Sequence, residues 1–151
     1  IALLLPLALL GGALGSQYLG GLVPCEMCYW QRWPHGAAII LAAFAFTGPA
    51  DSNRSRTLTL LAAAAIATSG AIGVYHAGVE LGIFEGLTTC TSTASGATTA
   101  ELLDAIMKAP LVRCDQVQFA FLGISMAGWN ALLSLGGAAA IAWLMLRNRG
   151  A

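Results

Sequence analysis

An all-α integral membrane fold, a bundle of four transmembrane helices, is what this sequence predicts, and two observations carry it. Four apolar runs each approach the length that crosses a hydrocarbon core, about 20 residues in a helix. Charge is scarce: of 151 residues, 9% are charged and 58% are hydrophobic, against about 25% charged in an ordinary soluble domain. With a mean hydropathy of +0.76, so few charges would not cover a water-facing surface, and lipid has to be part of the solvent. The length suits a single domain over residues 1–151. Formal net charge is zero and no basic patch stands out, so nucleic acid is not an expected partner.

The first run, residues 1–23, contains no charge. No Lys or Arg precedes it as in a secretory leader, and cleavage would leave three spans, so a retained helix is expected. The second, residues 33–50, ends at Gly48-Pro49. The third, residues 57–79, is uncharged apart from a possible charge on His76. The fourth, residues 119–146, sits within a charge-free run that begins at Gln116. On the third, Ala65, Ser69, Gly73 and Ala77 recur every four residues, and Gly136 and Ala140 repeat that spacing on the fourth. Small residues on one face let helices approach closely in lipid, and packing explains them sufficiently.

The connections differ in kind. Residues 51–56 form a short polar loop with Arg54 and Arg56, and Arg147 and Arg149 follow the last span. Positive charge favours the cytoplasmic side, so that loop and both termini are expected there. The loops 24–32 and 80–115 then lie opposite, with Arg32, Lys108 and Arg113, a margin of four against three. All four cysteines, Cys25, Cys28, Cys90 and Cys114, fall in those two loops, and paired cysteines suit an oxidising compartment. Within the long loop, Thr98 and Glu101 fit a capping box. Leu102, Leu103, Ile106 and Met107 follow at helical spacing before Pro110. A short amphipathic helix is expected there, lying on the membrane surface or packed on the bundle.

The chemistry concentrates in Pro24-Cys25-Glu26-Met27-Cys28. A C-x-x-C pair also binds zinc, but its setting matters. Pro24 marks a helix start, and the positive end of a helix dipole favours thiolate over thiol. Thiolate is the attacking species in disulfide exchange. Arg32 follows Cys28 by four residues, on one helical face with it. There a guanidinium would lower the thiol pKa or bind a carbonyl ligand, or would simply snorkel at the interface. Cys90 and Cys114 are 24 positions apart with polar flanks. A bridge between them would be worth about 3 kcal/mol on the chain-entropy model, as a staple or as an exchanging pair. His35 and His76 lie near the same level, either polarising a bound carbonyl or anchoring at the interface. Trp30, Trp33 and Tyr75 fit an aromatic belt, and one of them would line a flat ring pocket.

These residues resemble the family of disulfide bond formation protein B, the bacterial inner-membrane thiol:quinone oxidoreductases. The resemblance covers nearly the whole chain. It rests on four helices, Cys25-x-x-Cys28, Arg32, the long loop with Cys90 and Cys114, and Phe121-Leu-Gly-Ile-Ser-Met-Ala-Gly-Trp129. The run Pro24-Cys-Glu-Met-Cys-Tyr-Trp-Gln-Arg-Trp-Pro-His35 is similar to a proteobacterial branch. It implies a quinone, ubiquinone or menaquinone, and a periplasmic thioredoxin-like oxidase of the DsbA type as partner. It also implies roles: Cys28 facing the quinone, Cys25 exchanging with the second pair, Cys90 joined to the partner, Cys114 resolving onto Cys25, and Arg32 holding quinone. His76 falls near a family histidine by the quinone, with different spacing to Cys90. No metal is expected.

Three other readings compete, one of them a small channel or transporter with structural disulfides, which would carry charges within the spans, whereas the charges here stand only at their ends. A vitamin K epoxide reductase relative also couples four helices and cysteine pairs to a quinone-like ring, but its C-x-x-C comes late in the bundle. A non-enzymatic protein would hold a metal on the four cysteines.

Overall fold

The computed structural model describes residues 1–86, 98–108 and 112–147. Its main elements are helical: α1 (Leu4–Tyr18), α2 (Glu26–Ala45), α3 (Asn53–Glu80), α4 (Thr99–Lys108) and α5 (Met126–Arg147). A two-residue hairpin, β1 (Ala120–Phe121) and β2 (Ile124–Ser125), precedes α5 and pairs Ala120 with Ser125 and Phe121 with Ile124. Its turn residues Leu122 and Gly123 have φ of 53° and 78°, the positive values that a two-residue turn between twisted strands requires. Backbone that the apolar run from Phe119 assigns to a helix is therefore a hairpin up to Ser125.

Among the described residues two helices, α3 and α5, are long and apolar enough to cross a membrane, and α1 is apolar but shorter, at 15 residues. α3 is central. It packs along both α2 and α5, while α1 lies against α2 and α5. The helices turn large apolar side chains outward, among them Ile40, Phe44, Leu61, Val74, Leu132 and Trp143. Most residues on their buried faces are small or polar, with larger apolar side chains such as Met27, Ile66 and Ile141 among them. Such an exterior suits lipid and not water.

The packed face of α3 runs through Ala62, Ile66, Ser69, Gly73 and His76. Ala65 and Ala77 sit at its margin, half-buried. At Gly73 an added Cβ would lie 3.1 Å from the Ala127 carbonyl oxygen and from the Ala131 nitrogen, so a side chain there would push α5 away. On α5 the buried positions are Ala127, Ala131, Ser134, Ala138 and Ile141. Gly136 is exposed, so the Gly136–Ala140 spacing does not mark this interface.

Helix caps follow from local chemistry. Ser52 accepts the Ser55 amide at 3.1 Å to start α3. Thr98 and Glu101 close the capping box at α4, with Thr98 N–H to Glu101 Oε2 at 3.1 Å and Glu101 N–H to Thr98 Oγ1 at 3.3 Å. Leu103 and Met107 on α4 are exposed. α2 begins at Glu26, so residues 26–32, read from their polarity as loop, are helical. The cause is Cys25, whose Sγ accepts the Cys28 N–H at 3.3 Å as the helix cap.

Candidate functional site

Cysteine at an N-cap brings sulfur and helix terminus together. Cys25 Sγ takes an amide of the first turn, and the two sulfurs of the C-x-x-C pair lie 3.0 Å apart. That is a hydrogen-bonded contact, longer than the covalent bond of about 2.05 Å. Cys25 is 1% exposed. These groups lie ahead of the apolar stretch that starts at Trp33. The hydrogen bond from Cys25 holds the Cys28 thiol down at about 7, with a further contribution from the positive charge of Arg32. The same hydrogen bond, together with burial, pushes Cys25 well above the ordinary thiol range. A pair that shares one proton in this way presents a single thiolate near neutral pH.

Cys114 joins them. Its donor atom, Cys25 Sγ and His76 Nε2 all lie within 4.8 Å of one another and all three residues are buried. Met27 and Val79 complete this small core, with Val112 and Tyr75 against it. The polar flanks of Cys114 suggest an exposed thiol, and the structure corrects this: apolar neighbours bury it at 6% exposure. The flank itself is exposed. Arg113 pairs with Asp115 and holds that carboxyl below its ordinary value. Cys90 lies outside the described residues.

His76 faces the sulfurs, with Nε2 3.5 Å from Cys25 Sγ and 3.9 Å from Glu80 Oε1. Its Nδ1 meets Gln31 Nε2 at 2.8 Å, and that amide also donates to the Met27 carbonyl at 3.1 Å. Gln31 Oε1 accepts from Asn130 Nδ2 at 2.7 Å. With the amide oriented so, His76 Nδ1 is an acceptor, and the ring proton sits on Nε2, toward sulfur. Glu80 is held from the other side by the Ser125 hydroxyl.

Beside this cluster an apolar cavity of about 580 Å³ opens between α1, α2, α3 and the start of α5. Cys25, Cys28, Arg32, His35 and His76 all line it. Arg32 donates to Gln17 Oε1 and to the Ala13 carbonyl on α1, and its guanidinium lies 5.0 Å over the Tyr29 ring. Among the described residues, two buried polar atoms on side chains that line the cavity have no partner: Arg32 Nε and His35 Nδ1. A buried polar atom without a partner is costly, and a ligand with matching polar edges and an apolar body fits this wall.

The family of this arrangement is shown by comparison. The family model for disulfide bond formation protein DsbB matches residues 1–144. The chain belongs to the DsbB family. A disulfide bond formation protein B of Burkholderia pseudomallei is 28% identical over 148 residues, covering 95% of this chain and 85% of that one. A disulfide bond formation protein B 1 of Pseudomonas fluorescens is 41% identical over 70 residues, 44% of this chain and 40% of its own length. An uncharacterized protein of Rickettsia prowazekii is 24% identical over 123 residues, covering 80% of this chain and 70% of that one. No solved structure matches.

Among the residues singled out from sequence, Cys25, Cys28, Cys114, Arg32, His35 and His76 come together at one end of the helices. Trp30, Trp33 and Tyr75 do not line the cavity; Phe119, Phe121 and Trp129 do. Sequence reasoning missed Gln31, Asn130 and Glu80. Asn130 carried a signal, being an amide inside the longest uncharged run, where an unpaired polar group is expensive.

Proposed function

We propose that this DsbB-family protein is a four-span inner-membrane thiol:quinone oxidoreductase. It re-oxidises a periplasmic thioredoxin-like dithiol oxidase of the DsbA type and passes two electrons to ubiquinone or menaquinone. The observation that carries this reading is the gathering of three cysteine thiols, two of them at the wall of an apolar cavity, beside a cation and two unpartnered polar atoms. The cysteine loops face the periplasm and the termini the cytoplasm in this account.

Each residue then has a task. The partner's two thiols become a disulfide as Cys90–Cys114 is reduced, through a mixed disulfide on Cys90. Cys114 Sγ attacks Cys25 Sγ, breaking the Cys25–Cys28 bond and releasing Cys28 as thiolate; Cys90 then attacks Cys114, re-forming Cys90–Cys114 and releasing Cys25 as the second thiol of the reduced pair. The positive charge of Arg32 stabilises the Cys28 thiolate as leaving group, and a better leaving thiolate departs faster. His76 Nε2–H stands beside Cys25 Sγ, where it stabilises negative charge on sulfur during exchange. Quinone, when bound, is the acceptor of the two electrons. Arg32, His35 and His76 would hold it, and the apolar wall would take its ring.

A metal site is the second reading, favoured by the Cys25, His76 and Cys114 donor atoms within 4.8 Å. The tautomer set by Gln31 weighs against it, because the His76 nitrogen nearest the sulfurs carries the proton. One experiment tests the main reading: purified protein, a reduced thioredoxin-like donor and a short-chain quinone. Donor oxidation and quinone loss are expected one for one. Donor oxidation without quinone loss would refute it.

A further inference from the structure

His35 lies one helical turn beyond Arg32 on α2, and both line the cavity. Residues three apart share a helical face. The two differ in what they offer. The unpartnered atom of Arg32 is Nε, a donor only. The unpartnered atom of His35 is Nδ1, and its character depends on the tautomer.

The surroundings settle the tautomer. His35 Nε2 meets Asn130 Oδ1 at 2.9 Å and Ser69 Oγ at 3.0 Å. The Asn130 amide is oriented by its other contacts. Its Nδ2 donates to Gln31 Oε1 at 2.7 Å and to the Ser69 carbonyl at 3.2 Å, while Ser134 Oγ donates to Oδ1 at 3.0 Å. The Ser69 hydroxyl donates its proton to the Gln31 carbonyl at 2.8 Å. Both groups facing Nε2 are therefore acceptors. Nε2 carries the proton, and Nδ1 is a lone pair in a residue only 3% exposed.

A ring carbonyl offers no proton to a lone pair, whereas a ring hydroxyl does. We propose that His35 makes the cavity selective for the reduced ring: its Nδ1 accepts the O–H of a hydroquinone, while Arg32 Nε serves either redox state. Asn130 is the positioning residue that fixes the His35 tautomer. This inference rests on the quinone reading of the cavity and adds a discrimination that reading does not contain. Tighter binding of the reduced ring raises the potential of the bound couple, tenfold in affinity corresponding to about 30 mV. The cavity would thus draw electrons off the cysteines by holding the product of their oxidation.

The test is a binding ratio in full-length protein carrying Cys28→Ser, which stops electron exchange during the measurement. Ubiquinone-1 and ubiquinol-1 are titrated anaerobically in detergent, with tryptophan quenching as readout. Ubiquinol-1 is expected to bind about tenfold more tightly, the scale of one well-made hydrogen bond. His35→Phe should bring the ratio to near one, its loss of affinity being larger for ubiquinol-1 than for ubiquinone-1. Asn130→Leu, which frees the ring to turn, should lower the ratio. Asn130→Asp, which keeps the acceptor oxygen, should retain it. A ratio near one in the parent protein would overturn the inference and leave the quinone reading standing. An unchanged ratio in His35→Phe would do the same. Binding of neither ring would overturn the quinone reading, and this inference with it.

Discussion

The two ends of α3 show how one set of helices does two different things. Toward its N-terminal half, Ala62, Ala63 and Ile66 pack on Ala38 and Ala42 of α2 and on Ala138 and Ile141 of α5. That end is apolar, built of alanines around Ile66 and Ile141. Toward its C-terminal half, the same three helices bury Gln31, His35, Ser69, His76 and Ser134. Where lipid is the outer solvent, apolar burial gives little drive to association, so close packing holds the first end. Polar groups inside must satisfy one another, and the second end does so through a chain of hydrogen bonds from Cys25 to His35. The sulfur chemistry sits where the polar network ends at the cavity. Residues that hold the helices together are thus separate from those proposed to carry the exchange.

The largest expected effect lies at the reactive end. Cys28→Ser should reduce quinone turnover to background while the melting temperature in detergent stays near that of the parent. The reciprocal change is at the apolar end. Ile66→Ala removes a fully buried side chain and should cost about 2–5 kcal/mol of stability, measured by denaturant unfolding in mixed micelles. Under conditions where it stays folded, its thiol titration should match the parent. Equal loss of exchange chemistry in Ile66→Ala would erase the distinction between the two ends.

A smaller effect sharpens the reactive end itself. Cys28 is held at about 7, so thiolate absorbance near 240 nm should rise as pH increases through about 7. Losing the positive charge in Arg32→Ala should move that midpoint upward and weaken quinone binding. An unmoved midpoint with unchanged quinone KM would remove Arg32 from the site. The smallest effect is expected on the exposed flank, where Arg113 and Asp115 pair in solvent. Arg113→Ala should alter neither stability nor turnover measurably, because exposed pairs contribute little.

The helical elements were legible in the sequence to differing degrees. Apolar runs reveal the solvent a segment faces but not where its helix begins. Glu26, Gln31 and Arg32 therefore read as loop, although Cys25 caps a helix that contains them. Phe119 likewise reads as helix, although positive φ at Leu122 and Gly123 makes a hairpin first. At the candidate site, cysteine spacing and Arg32 were visible because their chemistry is carried by residue type. Glu80 and Asn130 were not, because each gains its meaning from a contact across the fold, 45 residues away to Ser125 for the first and 99 to Gln31 for the second. The burial of Cys114 was hidden for the same reason, since its neighbours in sequence are polar and its neighbours in space are Cys25 and Val79.

The central claim is that Cys114 stands ready to exchange with Cys25 at the reactive end. The most direct measurement is mild oxidation of a Cys28→Ser, Cys90→Ser protein, which leaves only those two thiols, followed by peptide mass spectrometry without reduction. Their donor atoms lie within 4.8 Å of each other and of His76, so the account predicts an intramolecular Cys25–Cys114 disulfide as the main product. Recovery of both cysteines as free thiols, or their linkage only between separate chains, would contradict it.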